Sequence, residues 1–289
     1  MKKASFNNIW RFPTAQTMQR TIKAFQPDIV HHYMGRAGTY SVQGDHVNLG
    51  WYGGYYKPAR FKHCPYHVGV TKDIADHIVR QGVPAKNVFT LHIYAEFEKG
   101  TPIDRAEFDT PDDAPLLLSL SRLHSCKGLD VLLEAMVKAP DAYLWIAGSG
   151  PLEQDLKAQC KALNLEERVK FLGWRNDREN LLATCDICVF PSRYEAFGAV
   201  VIEAWGTQKP LITAKAQGPK AYVKHEENGL LVDIDDIDGL ADNINRMIKD
   251  TDLQKHVVKN GLKAYKKDFT RKAFTKNALG LYEELLARR

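Results

Sequence analysis

Apolar and polar positions alternate in two registers along the chain. From residue 114 onward, short apolar runs recur at APLLLSLSR (114–122), AYLWIAGSG (142–150), RVKFLGW (168–174), DICVFPS (186–192), PLITAKA (210–216) and GLLVD (229–233). Between them lie helix-length amphipathic stretches such as LDVLLEAMVKA and LEQDLKAQCKALN. Near-continuous apolar strands separated by helices predict βαβ units, a parallel sheet covered on both faces, and a doubly wound Rossmann-like domain. Gly128 and Pro151 mark helix starts, Asn228-Gly229 a stop, and Asp238 is placed to cap GLADNINRMIKD. The stretches DLQKHVVKNGLKAYKKDF and RKAFTKNALGLYEELLARR read as two closing helices.

The first third is less regular. TMQRTIKAFQ reads as a helix, PDIVHHYM as a strand, and GDHVNLGWYGGYYKPARF as a short strand and a loop. YHVGVT, KDIADHIVRQG and NVFTLHI then repeat the strand–helix–strand pattern. The proline-bearing acidic segment that follows predicts a boundary: a first domain over 1–100, a linker over 101–113, and a second domain over 114–270. The closing helix, 271–289, is expected to pack back on the first domain.

Length and composition narrow the class. The 289 residues, 44% hydrophobic and 26% charged, suffice for two domains with real cores. The longest apolar runs fall far short of the ~18–20 residues of a membrane span. MKKASFNNIWRFP lacks the apolar core of a secretory signal, so a cytoplasmic location, peripheral to the inner face of the plasma membrane, is expected. The five cysteines read as free thiols, and Cys185-x-x-Cys188 as part of a buried strand.

The net charge of +5 is unevenly spread. Residues 1–104 hold 13 Lys and Arg against 7 Asp and Glu, a surplus of +6, together with seven of the ten histidines; the remainder is −1. A basic first domain predicts an anionic partner, such as an acidic saccharide or an anionic membrane surface. No nucleic-acid signature accompanies the charge.

In open parallel sheets, ligands collect beyond the carboxyl ends of the strands. After the first strand of the second domain, Arg122 and Lys127 offer a forked and a point cation suited to two phosphates. A solvated loop is the plainer reading of that pair alone. After the fourth strand, Glu195 and Glu203 stand eight positions apart. On one helix that is about 12 Å of rise and about 80° of net rotation. The rise exceeds the roughly 5–9.5 Å between glycosidase carboxylates, so a glycosidase pair is disfavoured and one elongated ligand touching both is preferred. A helix-start acid such as Glu195 is often only a dipole partner. Glu203, among Val, Ile, Ala and Trp, requires a partner of its own.

Other motifs carry less. AGSGP has a lone G-x-G and no following ribose acid, against a dehydrogenase. Asp233-Ile234-Asp235-Asp236 reads as helix capping rather than a metal site. The cationic run Lys263, Lys266, Lys267, Arg271, Lys272 and Lys276 reads as a solvated face with lipid contact as the alternative. Trp51, Tyr52, Tyr55 and Tyr56 with Lys57 and Arg60 read equally as core or as an acceptor or membrane patch.

Taken together, SRLHSCKGLDVLLEAM, LWIAGSGPLEQDL, VKFLGW, the E-x7-E segment, PLITAKAQGP and ENGLLVD resemble the family-four retaining glycosyltransferases, in the family's order and spacing from about residue 114 to 270. The resemblance implies the GT-B architecture, two Rossmann-like doubly wound parallel-sheet domains facing a cleft, here with the N-terminal one reduced. It implies that Arg122 and Lys127 bind the donor diphosphate, Glu195 the donor sugar and Glu203 the ribose. Phe197, Gly198, Ala199 and Val200 would supply backbone near the phosphates, with Trp174 and Arg175 near the base. PDIVHHYMGRAG resembles the family's D-x-V-H-x-H strand end with Tyr33 at the second His position, so that His31, His32 and Tyr33 would bound the sugar pocket.

The implied activity is that of a retaining hexosyl- or glycosyltransferase of the EC 2.4 class, moving sugar from a nucleotide-diphosphate-sugar substrate to a saccharide or lipid-linked acceptor. No metal or other cofactor is expected, and the setting is cell-surface polysaccharide or lipopolysaccharide assembly. An oligomer or partner subunit completing the N-terminal domain is a further expected partner. The alternatives are an inactive or weak nucleotide-sugar-binding partner protein and a nucleotide-sugar epimerase.

Overall fold

A computed structural model describes residues 11–289, with side chains from residue 14 onward. The amino-terminal residues 1–10, read above for a signal, lie outside them. The chain divides after Ile93 into two units, with Phe274–Arg289 returning to the first. Residues 101–113, expected as a linker, belong to the second unit. They are held there by specific bonds. The buried Trp145 indole N–H donates to Thr110 Oγ1 at 3.0 Å, and the Arg105 fork bonds the Asp186 carboxylate at 3.0 Å and the Ala114 carbonyl at 2.8 Å. A buried indole needs such an acceptor, which is why this acidic, proline-bearing strap is ordered.

Among the described residues, the first unit holds four parallel strands, β1 (Ile29–Tyr33), β2 (Val47–Tyr52), β3 (Tyr66–Gly69) and β4 (Val88–Thr90), paired in chain order. Helix Arg271–Ala287 packs on this sheet through Ala278, Leu281 and Leu285, spaced three and four apart, against Val47, Leu49 and Val68. Trp51 and Tyr52 are buried, which assigns the core of that aromatic cluster to packing rather than to an exposed acceptor patch.

The second unit carries β5 (Leu116–Leu120), β6 (Tyr143–Ala147), β7 (Val169–Gly173), β8 (Ile187–Phe190), β9 (Leu211–Ala214) and β10 (Leu230–Val232) in one parallel sheet of order β10-β9-β8-β5-β6-β7. The central strands β5, β6 and β8 are almost wholly apolar because both faces of the sheet are covered. Leu117, Leu144, Ile146 and Val189 enter one core with helices Leu129–Val137 and Ile237–Lys249. Leu116, Leu118 and Trp145 enter the opposite core with Leu181 and Leu182. The chain winds outward from β5 to β7 and then returns to place β8 against β5. That reversal is a topological switch point, and its crevice opens at the carboxyl ends of β5 and β8.

Capping follows sequence chemistry, shifted by two residues. Asp236, not Asp238, caps Ile237–Lys249, its carboxylate accepting from Gly239 N at 2.9 Å. Asp235 and Asp233 pair instead with Arg193 and Lys215. Among the described residues no helix is long and apolar enough to cross a membrane, and no three His, Cys, Asp or Glu side chains are grouped to hold a metal ion.

Candidate functional site

The backbone beyond β5 continues beside that beyond β6: Ser121 N bonds Ala147 O at 3.1 Å and Leu123 N bonds Ser149 O at 3.0 Å. The chain there is packed tightly enough that Gly148 lies against the Ser121 carbonyl. A cavity of about 380 Å³ opens at this place, walled by Ser121, Arg122, Trp174, Arg175, Arg178, Val200 and Glu203. Two larger hollows, of about 780 and 660 Å³, lie away from the switch point. Position at the strand ends, rather than size, marks the smaller one.

Around that cavity the structure brings together five of the residues singled out in the sequence: Arg122, Trp174, Arg175, Val200 and Glu203. The Arg122 side chain is exposed and, among the described residues, has no hydrogen-bond or ion-pair partner. Trp174 is 70% exposed, a large ring left in solvent with its N–H on Asn176. Arg175 is already engaged, bonding both oxygens of Asp177 at 2.8 and 2.6 Å. The hydroxyls of Ser119, Ser121 and Ser192 are buried without a hydrogen-bond partner among the described residues, and Ser121 is in the cavity wall.

Glu203 is buried on helix Ala199–Gly206, and burial pushes its pKa up while the Arg178 guanidinium, with Nη1 2.9 Å from Oε1, pulls it back. The partner demanded by a carboxylate on an apolar face is therefore Arg178, which the reading of the sequence did not single out. The signal the sequence offers is slight: a second arginine in WRNDREN, in the stretch that follows β7 and at the start of helix Arg178–Thr184.

Lys127 and Glu195 are not in the wall of this cavity but pair with each other, Nζ to Oε2 at 2.5 Å, both side chains less than one-fifth exposed. Lys127 Nζ also lies 5.3 Å from the centre of the Phe190 ring. Glu195 sits in the loop before helix Ala199–Gly206, so the two glutamates do not share a helix and the 12 Å helical rise does not apply. Gly198, at φ +89°, begins that helix with no side-chain cap. The Phe197 ring is buried against Tyr222 and Phe269, and its carbonyl accepts from the Tyr222 hydroxyl. Ala199, at the first helical position, is exposed.

Arg193, also missed, fastens the two halves of this region. It bonds both Asp130 oxygens (2.8 and 2.6 Å) and the Ser125 carbonyl (2.8 Å), while the amides of Arg193 and Tyr194 both donate to Cys126 O. It thereby ties the segment bearing Glu195 to the turn bearing Lys127. Arg193→Met is expected to raise hydrogen exchange at those two amides by about tenfold, while core β5 amides keep their protection. Unchanged exchange would show that the backbone holds the register alone.

In the first unit, alternation along β1 separates the three residues expected at a sugar. His32 is buried, with Nε2 2.7 Å from Asn48 Oδ1. Its ring is turned into the unit. His31 is tied to the Tyr282 hydroxyl at 2.8 Å and stacks on Trp51. Tyr33 alone of the three is exposed, its ring 4.3 Å from those of His31 and Trp51.

Parallel α/β units with this sheet order and a cation-lined crevice at the switch point define the class of GT-B glycosyltransferases, and solved structures agree on the fold. The Anabaena protein Alr3699/HepE, solved in complex with UDP and glucose, matches 94% of this chain and 82% of its own at a TM-score of 0.82 and 22% identity. Residues 101–264 match the model of the family described as glycosyl transferases group 1, and the chain belongs to that family. Among curated relatives, the lipopolysaccharide core biosynthesis glycosyltransferase LpsE of Rhizobium meliloti is 35% identical over 185 residues, 64% of this chain and 53% of its own length. LpsD of the same organism is 29% identical over 289 residues, 96% of this chain and 82% of its own. The chain thus spans about half of LpsE and most of LpsD.

Proposed function

We propose that this protein transfers a sugar from a nucleoside-diphosphate donor to a saccharide or lipid-linked acceptor, with retention of anomeric configuration, in the assembly of lipopolysaccharide or a related cell-surface polysaccharide. The observation that carries this reading is the switch-point cavity with Arg122, which has no partner among the described residues, and a buried carboxylate, Glu203, in its wall. A fixed guanidinium suits a diphosphate, and a buried carboxylate accepts two vicinal hydroxyls. The names of LpsE and LpsD support the pathway.

In this reading Glu203 takes the ribose hydroxyls, while the exposed Trp174 ring and the Arg175 region bound the base. Arg122 meets the diphosphate together with Lys127 and the backbone of Phe197, Gly198, Ala199 and Val200. Charge develops on the leaving diphosphate as the glycosidic bond lengthens, so cations and oriented amides already in place lower the barrier. Lys127, held against Glu195, shares its charge between that carboxylate and the leaving oxygen. Glu195 in turn accepts donor-sugar hydroxyls. No protein nucleophile is required: the acceptor hydroxyl attacks from the face the diphosphate leaves, and a diphosphate oxygen takes its proton. Of the three first-unit residues expected at the sugar, Tyr33 is the exposed one, and the sugar contact is assigned to it. An anionic membrane surface fits the basic charge of the first third.

The test is calorimetry with UDP, GDP and ADP, followed by the sugar donors of whichever binds. Arg122→Ala is expected to weaken the best nucleoside diphosphate by roughly tenfold to a hundredfold. Glu203→Ala should weaken it comparably, and product NMR should show the donor's anomeric configuration retained. Unchanged affinity in both variants would sink the reading.

A further inference from the structure

The Arg178 side chain is held from three directions. Nη1 bonds Glu203 Oε1 at 2.9 Å, Nε bonds Glu179 Oε1 at 3.0 Å, and the guanidinium lies 5.8 Å from the centre of the Phe97 ring. Its helix is anchored in turn: Leu181 and Leu182 are in the core, and Asn180 Oδ1 and Thr184 Oγ1 accept from the amides of Thr101 and Ile103. A fork fixed this way sets the plane of the carboxylate it bonds. The second oxygen of Glu203, Oε2, bonds no described residue, and Glu203 faces the cavity.

We propose that Arg178 is a positioning residue for nucleotide recognition, keeping the Glu203 carboxylate ionised and aimed so that it accepts both hydroxyls of a ribose and discriminates against 2′-deoxyribose. The proposal rests on the reading that Glu203 takes the ribose. A buried carboxylate that loses the Arg178 bond takes up a proton more readily, and a carboxylic acid accepts a vicinal pair of hydroxyls less well than a carboxylate does. The ionisable groups facing Glu203 are Arg178 and Glu179 on their shared helix, Cys188 on β8, and Arg122 and Arg175 elsewhere in the cavity wall. Arg178 is the one that bonds it, so its removal leaves burial and Glu179 both acting to raise the Glu203 pKa.

The experiment measures affinity for the tightest-binding nucleoside diphosphate and for its 2′-deoxy analogue, from about pH 6 to pH 8. The proteins are wild type, Arg178→Met, Arg178→Lys, Glu203→Gln and the Arg178→Met/Glu203→Gln double variant. Wild type is expected to prefer ribose by roughly tenfold or more with a flat pH profile. Arg178→Met should cut that preference to within about threefold and weaken binding as pH falls, and Arg178→Lys should restore most of both. In the Glu203→Gln background, removing Arg178 should change the ratio little. A preference lost in Glu203→Gln but kept in Arg178→Met, with a flat profile, overturns this proposal alone. A wild-type protein with no ribose preference overturns the Glu203 reading, and this proposal with it.

Discussion

Gly148→Ala is expected to cost the second unit about 3 kcal/mol or more, and to abolish nucleotide binding in whatever fraction still folds. An added Cβ would stand 1.8 Å from the Ser121 carbonyl oxygen and 2.9 Å from its carbon, at a φ of +151° that side chains rarely adopt. Neither strand end can yield. Gly148 N donates to Gly173 O at 2.7 Å, and Ser121 N donates to Ala147 O at 3.1 Å, so separating them breaks the bonds that join the ends of β5, β6 and β7. The displaced residue would be Ser121, and with it Arg122. Gly173→Ala is the control: its φ is +64°, but a Cβ there meets nothing within 4 Å. It should cost only about 1 kcal/mol, the left-handed strain by itself. Urea unfolding of both variants checks this, and equal losses would mean that close approach is not what the glycine provides.

That glycine shows how far the sequence could be read. AGSGP was visible as a lone G-x-G, insufficient for a dinucleotide motif. Its actual role, passage of the β6 end past Ser121, needs the three-dimensional neighbour that no local pattern supplies. The six strands of the second unit were legible because burial on both faces makes each an apolar run. Arg122 and Glu203 were legible for a related reason, since they stand at strand ends and on an apolar helix face where charge is out of place. Arg178 and Arg193 were not. Each works through a carboxylate 25 or more positions away, Arg178 on Glu203 and Arg193 on Asp130, and arginines in a polar stretch look alike until their partners are placed. The strap 101–113 misled for the opposite reason: its prolines and acids have linker composition, yet Thr110 and Arg105 are fixed by Trp145 and Asp186, which follow far downstream.

Acid is expected to unfold the first unit before the second. His31 and His67 are held neutral by burial, each with its pKa lowered to about 4, and burial lowers that of His32 as well. His67 Nδ1 is 2.9 Å from the Tyr52 hydroxyl, and His31 is tied to Tyr282, so both rings are integral to the packing around β1, β2 and β3. The sign follows from linkage. An imidazole whose pKa is lower folded than unfolded binds more protons in the unfolded chain once the pH drops below about 6.5. Its full contribution to stability is therefore present above that pH and is lost progressively down to the folded value near 4. At pH 5 the loss is about 2 kcal/mol for each of the two histidines, a large share of what a unit of this size possesses. The second unit has no buried histidine among the described residues and should hold over the same range. Urea unfolding at about pH 8, 6 and 5, followed by hydrogen exchange at Leu49 in β2 and Leu118 in β5, separates the two. His67→Gln, which is uncharged at every pH tested, should remove about half of the acid sensitivity. Equal acid sensitivity at Leu49 and Leu118, or none at either, would show that these rings do not stay neutral for the reason their burial implies.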